Sequence, residues 1–78
     1  GDYVIEGGTP KSLPATYLRV DYIRTSKGVL AIAIRQAAVD VYYINSTNHS
    51  LLSSVAITDP SATIAAYDVS INKIFVIH

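Results

Sequence analysis

A chain of 78 residues, half of them apolar and only 15% charged, has room for one domain with a small core. Six basic and six acidic residues cancel, so no long-range field draws it to nucleic acid or to an anionic membrane. The absence of cysteine excludes disulfides, zinc-thiolate sites and thiol catalysis, and no run approaches the ~18 consecutive apolar residues of a membrane-spanning helix.

Soluble domains typically carry roughly 25% charged residues, and a small domain has proportionally more surface to dress. The shortage of charge therefore points to surface that is buried against something else. The opening residues do not read as a signal peptide, and a start at Gly1 with no methionine is expected of a processed mature protein as much as of a trimmed piece.

Tyr3, Val4, Ile5 and Glu6 read as a short strand. Gly7 to Pro14 follows with two glycines and two prolines, which cannot continue a helix or a central strand, so it reads as a linker. Extended at ~3.3 Å per residue it reaches on the order of 25 Å. The chain thus divides into a leashed strand and linker, residues 1–14, and a single β domain, residues 15–78. The leash allows the first strand to fold back onto its own sheet or to reach a neighbouring subunit.

From Thr16 to Arg24, Leu18, Val20 and Tyr22 alternate with Arg19 and Asp21 as in a strand with one wet face. Thr25-Ser26-Lys27-Gly28 supplies turn chemistry, with the glycine placed for a positive φ. Val29 to Arg35 is the longest nearly uninterrupted apolar run, and its lack of alternation predicts a strand covered on both faces. Val39 to Asn45, rich in β-branched and aromatic residues, predicts a second such strand.

Leu30, Ile34, Ala37, Val41 and Ile44 also satisfy a helical spacing. Val29, Ile32, Val39 and the Tyr42-Tyr43 pair argue against a helix, as does the absence of an N-cap before residues that are apolar all round. Residues 46–50 form a polar loop, Leu51 to Thr58 resumes extended structure, and Asp59-Pro60-Ser61 breaks it. Two further strands, Thr63 to Val69 and Lys73 to His78, flank a turn at Ser70-Ile71-Asn72. The fold class is all-β: a small antiparallel meander of about seven short strands, sandwich-like (Ig-like) or propeller-blade-like. A faint echo at a shift of 46 residues lays Pro14 on Pro60 and Lys27 on Lys73, within the repeat range of propeller blades.

Chemistry-bearing motifs are sparse. No phosphate-cradling loop, paired-histidine helix or nucleophile elbow occurs, so no catalytic, metal or cofactor residues are assigned and an enzyme is not expected. Arg19, Arg24, Lys27 and Arg35 crowd one region, but Asp21 and Asp40 sit among them and the four read as edge residues. His49 lies near Ser46, Ser50 and Asp40, an arrangement any serine-rich chain offers by chance. Asn45-Ser46-Thr47 and Asn48-His49-Ser50 are tandem N-glycosylation acceptors at a loop, which suggests an extracellular or cell-surface glycoprotein. Tyr42 and Tyr43 are candidate carbohydrate contacts, although adjacent strand residues face opposite ways and only one of them serves any given platform.

Low charge, strands with two apolar faces and a leashed terminal strand together predict a non-enzymatic structural subunit. Copies of the chain would assemble into a filament, pilus or shell as Tyr3, Val4, Ile5 and Glu6 complete a neighbour's sheet edge. The alternative is a lectin-like module that binds glycans, built as an oligomeric propeller from repeats of about 46 residues.

Overall fold

The computed structural model describes residues 2–3, 10–45 and 48–78. The architecture is all-β, and the described residues form eight antiparallel strands: β1 (Asp2–Tyr3), β2 (Lys11–Ser12), β3 (Arg19–Thr25), β4 (Gly28–Ile34), β5 (Ala38–Ile44), β6 (His49–Ala56), β7 (Ile64–Asp68) and β8 (Lys73–Ile77). A 3₁₀ turn, Pro60–Ala62, joins β6 to β7. Asp59 caps it by accepting from the Ser61 N–H, as an aspartate before proline is suited to do. The helix that residues 30–44 could have formed does not exist, because these residues make β4 and β5.

β3, β4, β5 and β6 form one meander sheet in that spatial order, β7–β8 is a separate hairpin, and β1 pairs only with β2. Both apolar runs occupy the centre of the sheet, and the period of two divides each run between two cores. Ala31, Ala33, Tyr42 and Ile44 face one side, where Leu13 closes over them and Tyr3, Tyr17, Val20 and Val29 pack around. Ile32, Ile34 and Val39 face the other with Ile57, under Ala65 and Tyr67 of β7 and Ile74 and Val76 of β8. Leu13, which the sequence places in the linker, is therefore a core residue.

The body spans 37 × 30 × 15 Å, so its thinnest dimension is little more than one ~10 Å sheet-packing distance. Two thin covers suffice for β4 and β5 alone. The turns follow their residue types: Gly28 takes φ +144°, and a Cβ there would lie 2.8 Å from the Tyr43 ring. Asn72 takes φ 52° in the β7–β8 turn, a left-handed conformation that asparagine tolerates. The 46-residue echo falls on two hairpins, β3–β4 and β7–β8, which lie in different sheets.

Candidate functional site

The least covered element of the sheet is β6. Every residue from Ser50 to Ala56 is exposed, Leu51 and Leu52 at 57% each, and none is charged. β6 pairs with β5 on one side only, and among the described residues no strand joins its outer row of backbone N–H and C=O groups. The register slips between Val41 and Tyr42, where Ser53 and Leu51 are the successive partners and Leu52 is the extra residue of a bulge. Leu51 lies opposite Tyr42, and Leu52 lines a groove beside Tyr43.

The opposite edge, β3, carries Arg19, Asp21 and Arg24 within seven residues. Arg19 reaches across to the 3₁₀ turn, where Nη2 donates to the Thr63 carbonyl at 2.6 Å and both terminal nitrogens donate to the Pro60 carbonyl at 3.2 Å. This hook ties the start of β3 to the segment that leads into β7. Charge and a covering loop are two ordinary ways of blunting a sheet edge, and among the described residues β6 has neither.

Behind β6 lies a buried polar network centred on Asp40. The residue is 4% exposed in an otherwise apolar strand, so its carboxylate requires partners. Arg35 Nε donates to Oδ2 at 2.8 Å, the Tyr17 hydroxyl donates to the same oxygen at 2.7 Å, and Ser54 of β6 donates to Oδ1 at 2.5 Å. With the Tyr17 proton committed to Asp40, the Tyr42 hydroxyl is the donor in the 2.7 Å contact between the two tyrosines. Burial pushes the Asp40 carboxyl up, but the bonds from Arg35, Ser54 and Tyr17 outweigh it and hold the group below the usual carboxylate range. Burial and its bonds to Tyr42 and Asp40 push the Tyr17 hydroxyl well above the ordinary phenol range. Neither group is prepared to move a proton near neutrality, so the network acts as a clamp that joins β5, β6 and the β4–β5 turn to the segment before β3.

An aromatic chain continues from the clamp. Tyr42 meets Tyr17 and His49 edge to face, with ring centres 6.2 and 5.5 Å away. The Tyr3 hydroxyl lies 2.5 Å from His49 Nδ1. β1 therefore sits beside the first residue of β6, held by that bond and by a two-residue ladder, Asp2 opposite Ser12 and Tyr3 opposite Lys11. Of the two routes open to the leash, Asp2 and Tyr3 take the one back onto their own chain. Val4, Ile5 and Glu6 lie outside the described residues.

Asn45 and Asn48 are exposed at the tip between β5 and β6, where the Asn45 side chain accepts from the Asn48 N–H. Tyr42 and Tyr43 do face opposite sides. Tyr42 is buried among Tyr17 and His49, while Tyr43 is half-buried, donates to the Lys27 carbonyl and lines a groove of ≈ 520 Å³ with Lys27, Leu52, Tyr67 and Lys73. His49 and Asp40 have separate partners, Tyr3 for the first and Arg35, Tyr17 and Ser54 for the second. The sequence reading missed the Asp40 clamp and the Arg19 hook. An aspartate flanked by Val39 and Val41 was the available signal for the first; nothing local marks the second, whose partners lie 41 and 44 residues away.

Compared with protein-family models, curated proteins and solved structures, the chain gives no significant match. Its functional reading rests on its own geometry.

Proposed function

We propose that this protein is a non-enzymatic structural subunit whose copies assemble by β-strand addition, with β6 as the accepting edge and the N-terminal strand as the donor. The observation that carries this reading is the eight-residue β6, free of charge, exposed from Ser50 to Ala56 and bearing an outer backbone row that no described strand pairs. Such a row offers an incoming strand a ladder of main-chain hydrogen bonds, and Leu51, Leu52 and Val55 offer it apolar cover. Tyr3 already touches His49 at the head of β6, so donation to a neighbour is an exchange in which the same residues meet between copies. Gly7, Gly8 and Pro10, which the sequence reads as linker, would supply the reach between the donor strand and the anchored Leu13. The partner is another copy, and assembly gives an open filament if the operator is head-to-tail.

The test is sedimentation and negative-stain imaging of three chains: the full protein, a deletion of residues 1–8, and Leu52→Lys. The full protein assembles; the deletion removes the donor and Leu52→Lys charges the acceptor, so both stay unassembled while remaining folded by circular dichroism. Assembly that survives both changes rejects strand addition. Extracellular location and sugar attachment at Asn45 and Asn48 belong to the same proposal, because the tip that holds them is exposed. Intact mass on native material checks it, and an unmodified mass removes the argument.

The groove beside Tyr43 favours one other reading, a glycan-binding module with Tyr43 as its stacking face. A glycan array on wild type and Tyr43→Ala decides it: binding lost in the variant supports the module, and no binding by wild type ends it.

A further inference from the structure

The β7–β8 hairpin is apolar on both faces. Its inner face packs on the sheet through Ala65, Tyr67, Ile74 and Val76, while Ile64, Ala66, Phe75 and Ile77 stand on the outer face, with Ile64, Phe75 and Ile77 at 62%, 49% and 65% exposure. The outer residues are register partners: Ile64 lies opposite Ile77, Ala66 opposite Phe75 and Asp68 opposite Lys73.

We propose that this outer face is a two-fold docking surface for a second copy of the chain. Consider two such faces stacked about a two-fold axis that runs along the strands. The rotation carries β7 of one copy over β8 of the other at the same height, so each residue meets its own register partner across the interface. Ile64 then meets Ile77, small Ala66 receives large Phe75, and Asp68 meets Lys73, each pair occurring twice. Size and charge are therefore complementary under one symmetry operation, which singles out a copy of this chain as the occupant. Both charges are at hand: the Asp68 carboxylate binds Ser70 through Oδ1, and among the described residues Lys73 forms no ion pair.

The contact is small. Two five-residue strands offer on the order of 300 Å² per copy, against ~800 Å² in a standard interface, so the pairing is weak and reversible. It does not depend on strand addition, because it uses neither β6 nor the N-terminal strand. In an assembly it would pair one filament with another.

The experiment is sedimentation equilibrium of the full chain carrying Leu52→Lys, so that the β6 edge is blocked. This chain should dimerise with a dissociation constant in the range of roughly 0.1–1 mM. Adding Phe75→Ala weakens dimerisation about tenfold, and adding Ala66→Phe to that variant restores it, because the exchange keeps one large and one small residue in every pair. Lys73→Glu weakens it about fivefold at low salt and by less at high salt. All these side chains are exposed in the monomer, so unchanged thermal melts confirm that the fold is intact. A chain that stays monomeric at ~1 mM, or an exchange variant no better than Phe75→Ala, overturns the proposal.

Discussion

β3 and β6 both close the central sheet and both turn one backbone row outward, yet they are made from different residues. β3 has three charged side chains in seven residues and a guanidinium hook to the 3₁₀ turn; β6 has no charge in eight residues and two adjacent leucines on a bulge. The difference is not one of need, because an unguarded edge is a hazard for a protein that must remain monomeric. Among the described residues one edge of the sheet is guarded and the other is not, so the sheet is asymmetric, and the proposed head-to-tail joining of copies would use that asymmetry. The anchoring differs as well. β3 is tied down from outside by Arg19, whereas β6 is tied from beneath by Ser54 to the buried Asp40.

The severest way to break this comparison is to remove the buried anchor. Asp40→Ala leaves Arg35, Tyr17 and Ser54 without their shared acceptor and should cost about 3 kcal/mol. That is a large part of the ~4–12 kcal/mol a chain of this size commands. Urea denaturation measures it, and a loss below about 1 kcal/mol would show that the clamp is dispensable.

Acid should reproduce part of that loss. The folded Asp40 carboxyl titrates below its unfolded value, so its contribution is fully present above the unfolded pKa, near pH 4, and disappears as the pH falls through the lower folded value. Asp59 and Asp68 are also held low, chiefly by their bonds from Ser61 and Ser70, so a smaller acid sensitivity should persist without Asp40. Thermal melts from pH 6 to pH 2 should therefore fall less steeply for Asp40→Asn than for wild type; parallel curves would assign the effect elsewhere.

Cutting the external hook is a milder change. Arg19→Ala should cost about 1 kcal/mol, roughly one net charged hydrogen bond, and should loosen the 3₁₀ turn before it loosens the sheet. Hydrogen exchange at Ala62 and Thr63, whose N–H groups bond within that turn, reads the effect locally. The smallest effect on stability, under about 0.5 kcal/mol, is expected from exchanging the character of the edges. Asp21→Thr with Arg24→Thr should give β3 an adhesive edge and speed association in light scattering. If the doubly neutral β3 leaves association unchanged, edge charge is not what distinguishes the two strands.

Much of the sheet could be read from residue order. The missing alternation in Val29–Arg35 and Val39–Asn45 placed both strands at the centre, because a strand wetted on neither face has no use for polar residues. Gly28 and Asn72 marked turns that the chain does make. The site was far less legible. Leu51–Thr58 announced a strand but not its position at an edge, since exposure depends on whether another strand arrives beside it. Leu13 read as part of the linker until the fold brought the sheet beneath it, and nothing local marked Tyr17 as a partner of Asp40.

The sequence by itself determined the all-β class, the two central strands and their turns, for a physical reason: period and turn chemistry act between residues one to four positions apart. Tertiary structure alone decided which edge stays open, which side chains meet Asp40, and that the last hairpin lies over the sheet. Those outcomes depend on contacts between residues many positions apart, which form only when the whole chain has closed around its two cores.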